Sequence, residues 1–362
     1  MGRLWIAIVL ALAVGLKTQL TFSIVHEKSL IWDTSRQRSF YIPAMIMAVQ
    51  GDPTEWVAQT RPEIKYIEAP HFNWEFRALG FDWDAKSIYW SEQKNKKIQA
   101  LVLNGSTDTR TLFAGTSTEV SGIAVDWLSR NLYFTDTVYN WIMMTPSTPG
   151  RAGYRIVVQD GLDSPHGLAI YPQKGYLIWS DWGARPRIEV SDLEGQNRRI
   201  IVERDILKPM GVTIDYVHDR LYWVDSAKFT VEAVQLDGLG RQLIHKVEDI
   251  TLTGIALYQD FIFLTERKLA TLRVLDKKTP VKSYKLGRNP FDIMMYDGSQ
   301  QAGNSSACEL LGCEQMCIHD PVTGPKCICG EGYVPGDEES ISCNCKIFVI
   351  RGAHNGWIGP IA

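Results

Sequence analysis

Gly211-Val-Thr-Ile-Asp-Tyr216, followed after a four-residue turn by Leu221-Tyr-Trp-Val-Asp225, is the stretch from which the fold is read. A β-branched run and an aromatic run joined by a short polar turn predict two antiparallel strands. The pair recurs on both sides. Ala78-Leu-Gly-Phe-Asp-Trp83 precedes Ile88-Tyr-Trp-Ser-Glu92, Gly122-Ile-Ala-Val-Asp-Trp127 precedes Leu132-Tyr-Phe-Thr-Asp136, and Gly167-Leu-Ala-Ile-Tyr-Pro172 precedes Leu177-Ile-Trp-Ser-Asp181. The last is Gly254-Ile-Ala-Leu-Tyr258 with Phe261-Ile-Phe-Leu-Thr265. First runs begin at 78, 122, 167, 211 and 254, so the steps are 44, 45, 44 and 43 residues. Turn formers such as Asp237-Gly238 and Glu194-Gly195 leave room for about four short strands per unit. Such a unit is a propeller blade, which must stack on neighbours around an axis because it cannot bury both faces alone.

The chain ends supply a further unit. Phe291-Asp-Ile-Met-Met-Tyr296 has the first-run pattern with no second run after it, whereas Trp56-Val-Ala-Gln-Thr60 and Glu63-Ile-Lys-Tyr-Ile67 have the later-strand pattern with no first run before them. Joined, they predict one trimmed blade built from both termini that removes the open edges of the ring. The expected fold is all-β: a six-bladed propeller and a small disulfide-rich module.

The tetrad that closes each second run, together with Asp181-Trp182-Gly183, resembles the YWTD propellers of the low-density-lipoprotein-receptor family over about residues 54 to 345. Departures are expected at Glu92 and Thr265, in place of the tetrad acid, and at Phe134 and Phe263, in place of tryptophan. The resemblance implies that the tetrad acids tie neighbouring blades together, so Asp136, Asp181 and Asp225 are read as structural and not as catalytic carboxylates.

All seven cysteines lie between Cys308 and Cys345. The first six have x4, x3, x9, x1, x13 spacing, with Gly330, Gly332 and Tyr333 after the fifth, and six cysteines allow 15 pairings. A zinc reading fails because Cys327-Ile-Cys329 has no C-x2-C partners. The spacing resembles an EGF-like module, which implies Cys308–Cys317, Cys313–Cys327 and Cys329–Cys343. Calcium-binding modules of that kind carry acidic and amide residues ahead of the first cysteine, whereas Ser305-Ser306-Ala307 stands here, so no metal and no cofactor is expected. Cys345 is left without a partner.

Arg3 followed by the apolar stretch Leu4 to Leu16 reads as an export signal, and a buried core helix is the weaker reading because nothing amphipathic surrounds the stretch. Export fits the cysteine cluster and the sequons at Asn104 and Asn304. No later run is long enough to span a bilayer, and Met45 to Val49 is only a short one. The formal charge of -3 and pI near 6.2, with no basic block beyond Lys94, Lys96 and Lys97, exclude a nucleic-acid partner. The organisation expected is a signal peptide over 1–16, an unassigned segment over 17–53, the propeller over 54–300, the EGF-like module over 308–343 and an unassigned tail over 344–362.

Propellers of this size also serve as calcium-dependent hydrolases such as lactonases, so fold does not fix function. Residues just before each first run should line the axial face: Arg77, Ser121, His166, Met210, Thr253 and Phe291. They include no carboxylate or amide to hold a cation, no Gly-x-Ser-x-Gly occurs, and no catalytic residue is assigned. Aromatic, guanidinium and apolar groups suit a protein ligand better. Relatives often take a ligand asparagine beside a Pro-Asn-Gly turn, whereas Pro209-Met210-Gly211 stands here. The function expected is an extracellular protein-binding receptor module, either secreted or part of a longer membrane-anchored receptor. The alternatives are a propeller hydrolase, or a structural spacer or pH-release lid of a larger receptor.

Overall fold

The computed structural model describes residues 20–25, 29–33, 38–42, 44–50, 64–69, 76–103, 108–247, 251–258, 260–276, 279–285, 289–303, 306–336 and 341–345. Five four-stranded antiparallel sheets follow one another along it, beginning with the inner strands Phe76–Asp82, Val120–Asp126, Pro165–Tyr171, Pro209–Asp215 and Leu252–Tyr258. Each inner strand pairs with the aromatic strand after it, as in Val212 opposite Trp223 and Leu168 opposite Trp179. Sheets stack through their apolar faces. Ile178, Ile188 and Val190 of the third share a core with Val212, Leu221 and Trp223 of the fourth. The inner strands touch in chain order, and a further strand, Asn289–Tyr296, touches both Leu252–Tyr258 and Phe76–Asp82, so the inner ring closes. The protein is an all-β propeller.

A bulge breaks the register of every inner strand near its start, between Phe76 and Leu79, Val120 and Gly122, Pro165 and Leu168, Pro209 and Val212, Leu252 and Ile255, and Pro290 and Asp292. A bulge leaves backbone groups out of the ladder. Tetrad hydroxyls satisfy them: Ser180 Oγ accepts from Gly167 N at 2.9 Å and donates to Met210 O of the next sheet at 2.7 Å. Ser91 likewise bridges Ala78 N and Val120 O, and Thr135 donates to His166 O at 2.6 Å. The close approach also explains the glycines. A Cβ on Gly167 would lie 2.2 Å from Met210 O, and one on Gly122 would lie 2.4 Å from His166 O.

The acids hold the incoming loop. Asp225 accepts from Leu207 N, Lys208 N, Ala227 N and Lys228 N at 2.8 to 3.1 Å. Asp136 accepts from Ser117, Val138 and Tyr139, and Asp181 from Asp163 and Gly183 with Arg187 3.0 Å away. In the fifth sheet the expected assignment shifts by one residue. Leu252 pairs with Glu266 as Pro209 pairs with Asp225, so Glu266 holds the acid position, Thr265 the hydroxyl position and Leu264, not Phe263, the tryptophan position. Thr265 Oγ1 accepts from Gly254 N at 2.7 Å as a tetrad hydroxyl should. The similarity of Phe263 to an aromatic tetrad member conceals the slip.

The strand Asn289–Tyr296 pairs with Ala44–Gln50. The sequence leaves 17–53 unassigned, and the run Ala44-Met-Ile-Met-Ala-Val-Gln50 carries neither an aromatic residue nor an acid to mark it as a blade strand. Ile64–Ala69, which overlaps the expected later strand, pairs with Leu20–Val25, which in turn touches Ala44–Gln50. Trp56–Thr60, the segments 1–16 and 346–362, and both sequons lie outside the described residues.

The cysteine region is a short helix, Ser306–Leu311, and two hairpins, Met316–Asp320 with Gly324–Ile328 and Tyr333–Pro335 with Cys343–Cys345. The structure joins Cys308 to Cys317, Cys313 to Cys327 and Cys329 to Cys343. This region does not rely on its bridges alone. Met316, Ile318 and Ile328 are buried in one core with Trp127, Leu128, Tyr133 and Leu193 of the second and third sheets. Asn131 Nδ2 donates to Cys317 O, and His319 N donates to Ser129 Oγ at 2.9 Å.

The geometry predicts unequal roles for two acids of the tetrad. Glu92 is buried and, among the described residues, accepts from the side-chain amides of Asn95 and Gln99, whereas Asp225 accepts from four backbone donors. Each donor left unsatisfied costs about 1–3 kcal/mol unless water reaches it. Asp225→Ala should therefore lower secretion and the denaturant midpoint more than Glu92→Ala; equal losses would rule out this role.

Candidate functional site

The bulges set the site. Arg77, Ser121, His166, Met210, Thr253 and Phe291 each lie inside the bulge of their own inner strand, and of the six Ser121, His166, Thr253 and Phe291 border the axial channel whereas Arg77 and Met210 do not. They are not equally accessible. Ser121, Thr253 and Phe291 are buried, whereas Arg77, His166 and Met210 are partly exposed. Phe291 is therefore a wall of the site and not the accessible anchor expected from sequence. Its ring is flanked by two guanidinium groups, Arg77 at 5.2 Å and Arg267 at 4.2 Å from the centroid.

Below this mouth runs an axial channel with about 160 Å³ of free space, lined by Ser121, His166, Thr253, Phe291 and Asp292 near the bulges and by Trp127, Tyr216, Gln300 and Gln301 farther along. The far end is covered. Gln301 accepts from Trp83 N at 2.8 Å and donates to Phe81 O at 2.7 Å, while Trp127 Nε1 donates to Ala302 O at 2.8 Å, so 300–302 lies across the first and second sheets on its way to the cysteine region.

Asp292 corrects the expectation of a channel without carboxylates. It occupies the place held by Gly122, Gly167, Gly211 and Gly254 in other strands, where its side chain reaches the first sheet: Oδ2 accepts from Leu79 N at 2.9 Å and Oδ1 from Ile293 N at 2.8 Å. Burial outweighs these bonds and pushes its carboxyl up to about 7. The residue escapes a reading confined to positions one before each first run. Aligning Phe291-Asp292-Ile293 with Met210-Gly211-Val212 would have found it.

The mouth is electropositive. Lys208 Nζ lies 4.3 Å from the centroid of the Trp182 ring, and Arg77 pairs with Glu119. Burial, then the charges of Arg77 and Lys208, hold the His166 imidazole down to about 3, and its Nδ1 has no hydrogen-bond partner. Asp136, Asp181 and Asp225 bond to loops and do not line the channel. Among the described residues no three His, Cys, Asp or Glu side chains converge in a way that could hold a metal.

Comparison with known proteins fits this geometry. Residues 175–216 match the low-density lipoprotein receptor repeat class B. A human low-density lipoprotein receptor-related protein 5-like protein is 30% identical over 178 residues, covering 49% of this chain and 69% of that protein. The chain belongs to the low-density-lipoprotein-receptor-related family. Another member, the vitellogenin receptor Yl of Drosophila melanogaster, is 27% identical over 262 residues, covering 71% of this chain and only 13% of the receptor. In fold alone, the chain is similar to a chain of a nidogen/laminin complex, with a TM-score of 0.59, 21% identity, and coverage of 76% of this chain and 97% of that one.

For this receptor-related chain the two channel groups give opposite pH dependences. An exposed imidazole titrates near 6.5, so between about 3 and 6.5 the unfolded chain binds a proton that folded His166 refuses, and stability falls as pH drops. Asp292 acts in reverse between 3.8 and about 7, where the folded chain keeps a proton that the unfolded chain releases, so stability falls as pH rises. His166→Gln should lose less stability than the unsubstituted chain between pH 6.5 and 4, read from urea midpoints; an equal or larger loss would show that His166 does not carry the acid limb.

Proposed function

We propose that the chain is the extracellular ligand-binding module of a receptor, a complete six-bladed ring followed by an EGF-like module over 308–343, and that it takes a protein ligand at the mouth of the axial channel. One observation carries this reading: the bulges present Arg77, His166 and Met210 at one end of the ring, while 300–302 lies across the other. The bulged end sets guanidinium, imidazole and thioether groups, types common at interface centres, beside an open concavity. That a similar Drosophila protein is a receptor, and that the bridged cysteines suit an oxidising compartment, support a site outside the cell or at its surface, with 1–16 read as the export signal. Among the described residues no helix is long and apolar enough to cross a membrane.

Neither hydrolysis nor a pure spacer role accounts for the mouth. Both oxygens of the axial carboxylate already accept backbone N–H bonds, which leaves it poorly placed to recruit a cation or activate water. A spacer would have no use for exposed cations stacked on aromatic rings at a channel mouth. The chain spans only 13% of the Drosophila receptor, so the ligand and any larger assembly are read from this module alone.

The reading is tested with the mature chain as bait for extracellular proteins. Met210→Glu should reduce capture about tenfold or more, because it charges an interface centre, and because Met210 also packs against the core between the fourth and fifth sheets the denaturant midpoint of the variant is read beside its capture. Val217→Glu, at an 86% exposed turn position beyond the far end of its inner strand, should not reduce capture. Equal capture by both variants would move the site elsewhere, and calcium-dependent turnover of lactones or phosphotriesters would replace binding with catalysis.

A further inference from the structure

Two fully buried polar residues, Asp126 and Asn131, stand directly opposite each other in the second sheet, where the cysteine region sits on the ring. Asp126 Oδ1 accepts from Leu128 N and Ser129 N at 3.1 Å, and Asn131 Nδ2 donates to Cys317 O of the cysteine region. A carbonyl only accepts, so the amide nitrogen of Asn131 must face Cys317 and its oxygen must turn elsewhere. Among the described residues neither Asn131 Oδ1 nor Asp126 Oδ2 has a hydrogen-bond partner. Opposed residues of an antiparallel pair hold their Cβ atoms about 4.5–5.5 Å apart, close enough for one hydrogen bond between their side chains. Two acceptors cannot bond each other, and buried groups of this kind rarely stay unpaired.

The ring itself shows what Asp126 lacks. In the first sheet the corresponding acid, Asp82, is met by Arg130 from the turn of the second sheet. Arg130 and Gly175 each stand just before the second strand of their sheet with φ of 60° and 66°, so Gly175 holds that place in the third sheet. It offers Asp126 no cation, and a Cβ there would lie 2.8 Å from Pro321 Cδ of the cysteine region. The other charged groups around the junction are engaged: Arg155 and Lys326 pair with Glu194, and the Tyr133 hydroxyl donates to Leu193 O. The charge that does reach Asp126 is that of partly exposed His319, whose backbone N bonds Ser129 Oγ. Burial pushes the Asp126 carboxyl up, and the bonds from Ser129 and Leu128 with the His319 charge only partly oppose it.

We propose that Asp126 keeps its proton in the folded chain and shares it with Asn131 Oδ1, so that seating of the cysteine region on the ring is coupled to pH. One proton gives both oxygens a partner, whereas an ionised Asp126 would set two buried acceptors against each other beside Cys317. When the cysteine region lifts away, water reaches the carboxyl and it ionises at the ordinary carboxylate value. Above that value the seated form holds one proton more than the lifted form, so this contribution is complete below about pH 4 and is lost as pH rises. Asp126 ends its inner strand whereas the ligand mouth lies at the bulged start, so the inference stands apart from the receptor reading.

The test is Asp126→Asn in the full mature chain, since an amide keeps the acceptor for Leu128 N and Ser129 N and offers Asn131 a permanent donor. At about pH 6, well above the ordinary carboxylate value, the infrared difference between the unsubstituted chain and this variant should show the loss of one un-ionised carboxyl band and of no carboxylate band. Hydrogen exchange of the His319 amide, which Ser129 Oγ holds, reports seating directly. Corrected for intrinsic exchange, its protection should fall with rising pH in the unsubstituted chain by up to about tenfold per pH unit, the limit for one proton. It should stay level in Asp126→Asn, and His319→Gln should leave the fall in place. A lost carboxylate band, with protection that rises with pH or ignores it, would show that Asp126 is ionised and held by His319 or a buried water, and overturns the proposal. Loss of the un-ionised band with pH-independent protection refutes the coupling. Failure of Asp126→Asn to fold also counts against the proposal, because that variant retains every bond assigned to the un-ionised acid.

Discussion

The hydroxyl of Ser180, accepting from Gly167 N and donating to Met210 O, is the contact on which the rest of the ring depends. Each inner strand is bulged, and each bulge lifts backbone groups out of their own ladder toward the next strand. A hydroxyl satisfies one strand and the next at once because it both donates and accepts, which neither a carboxylate nor an ammonium can do. Glycine follows from the same constraint, since the next strand's carbonyl occupies the space a Cβ would need. Hydroxyl and glycine thus form one device that sets how closely neighbouring sheets approach the axis.

Three places break the pattern: the fourth sheet has buried Val224 at the hydroxyl position, the first sheet has Ala78 at the glycine position, and the closing strand has Asp292 there. Asp292 makes its own bridge to Leu79 N of the first sheet, so a side chain does at the seam what packed backbone does elsewhere. Closure is reinforced at the other end, where Gln301 bonds Trp83 N and Phe81 O and the rings of Trp83 and Tyr296 lie 4.9 Å apart. The segment that makes these bonds leads into the cysteine region, which is itself buried against Trp127 and Leu128. Seam, far end and terminal module are mechanically one unit, leaving the bulged end as the accessible part of the axis.

Much of this was legible in sequence, because five like units set about 44 residues apart need no structure to be seen. The tetrad acids and the cysteine cluster announced themselves by residue type and spacing. What escaped reading depended on register. The one-residue slip that made Thr265 look like an acid substitute is invisible without knowing that Leu252 faces Glu266. Ala44–Gln50 lacks the aromatic and acidic marks of the other strands, since it lies beside an inner strand without forming a tetrad. The burial of Phe291 under Arg77 and Arg267 depends on a cation contributed by the turn of another sheet, which no local pattern reveals.

The six bulge positions show how one backbone device admits different side chains. Around the ring, the position after the bulge residue is Gly at 122, 167, 211 and 254, and the position before the tetrad acid is a hydroxyl residue at 91, 135, 180 and 265. The bulge position itself is Arg, Ser, His, Met, Thr and Phe in turn. Equivalent sites under one structural demand converge on one residue type; these six have not. The bulge is held through its main-chain N–H and carbonyl, as at Gly167 N, His166 O and Met210 O, which leaves the residue type of the bulge position open. Its side chains still take part in the fold to different degrees: Thr253 Oγ1 bonds Thr265 Oγ1, Met210 packs against the core of the fourth and fifth sheets, and Arg77 instead pairs with Glu119, so the variation around the ring is variation in how each seam is filled.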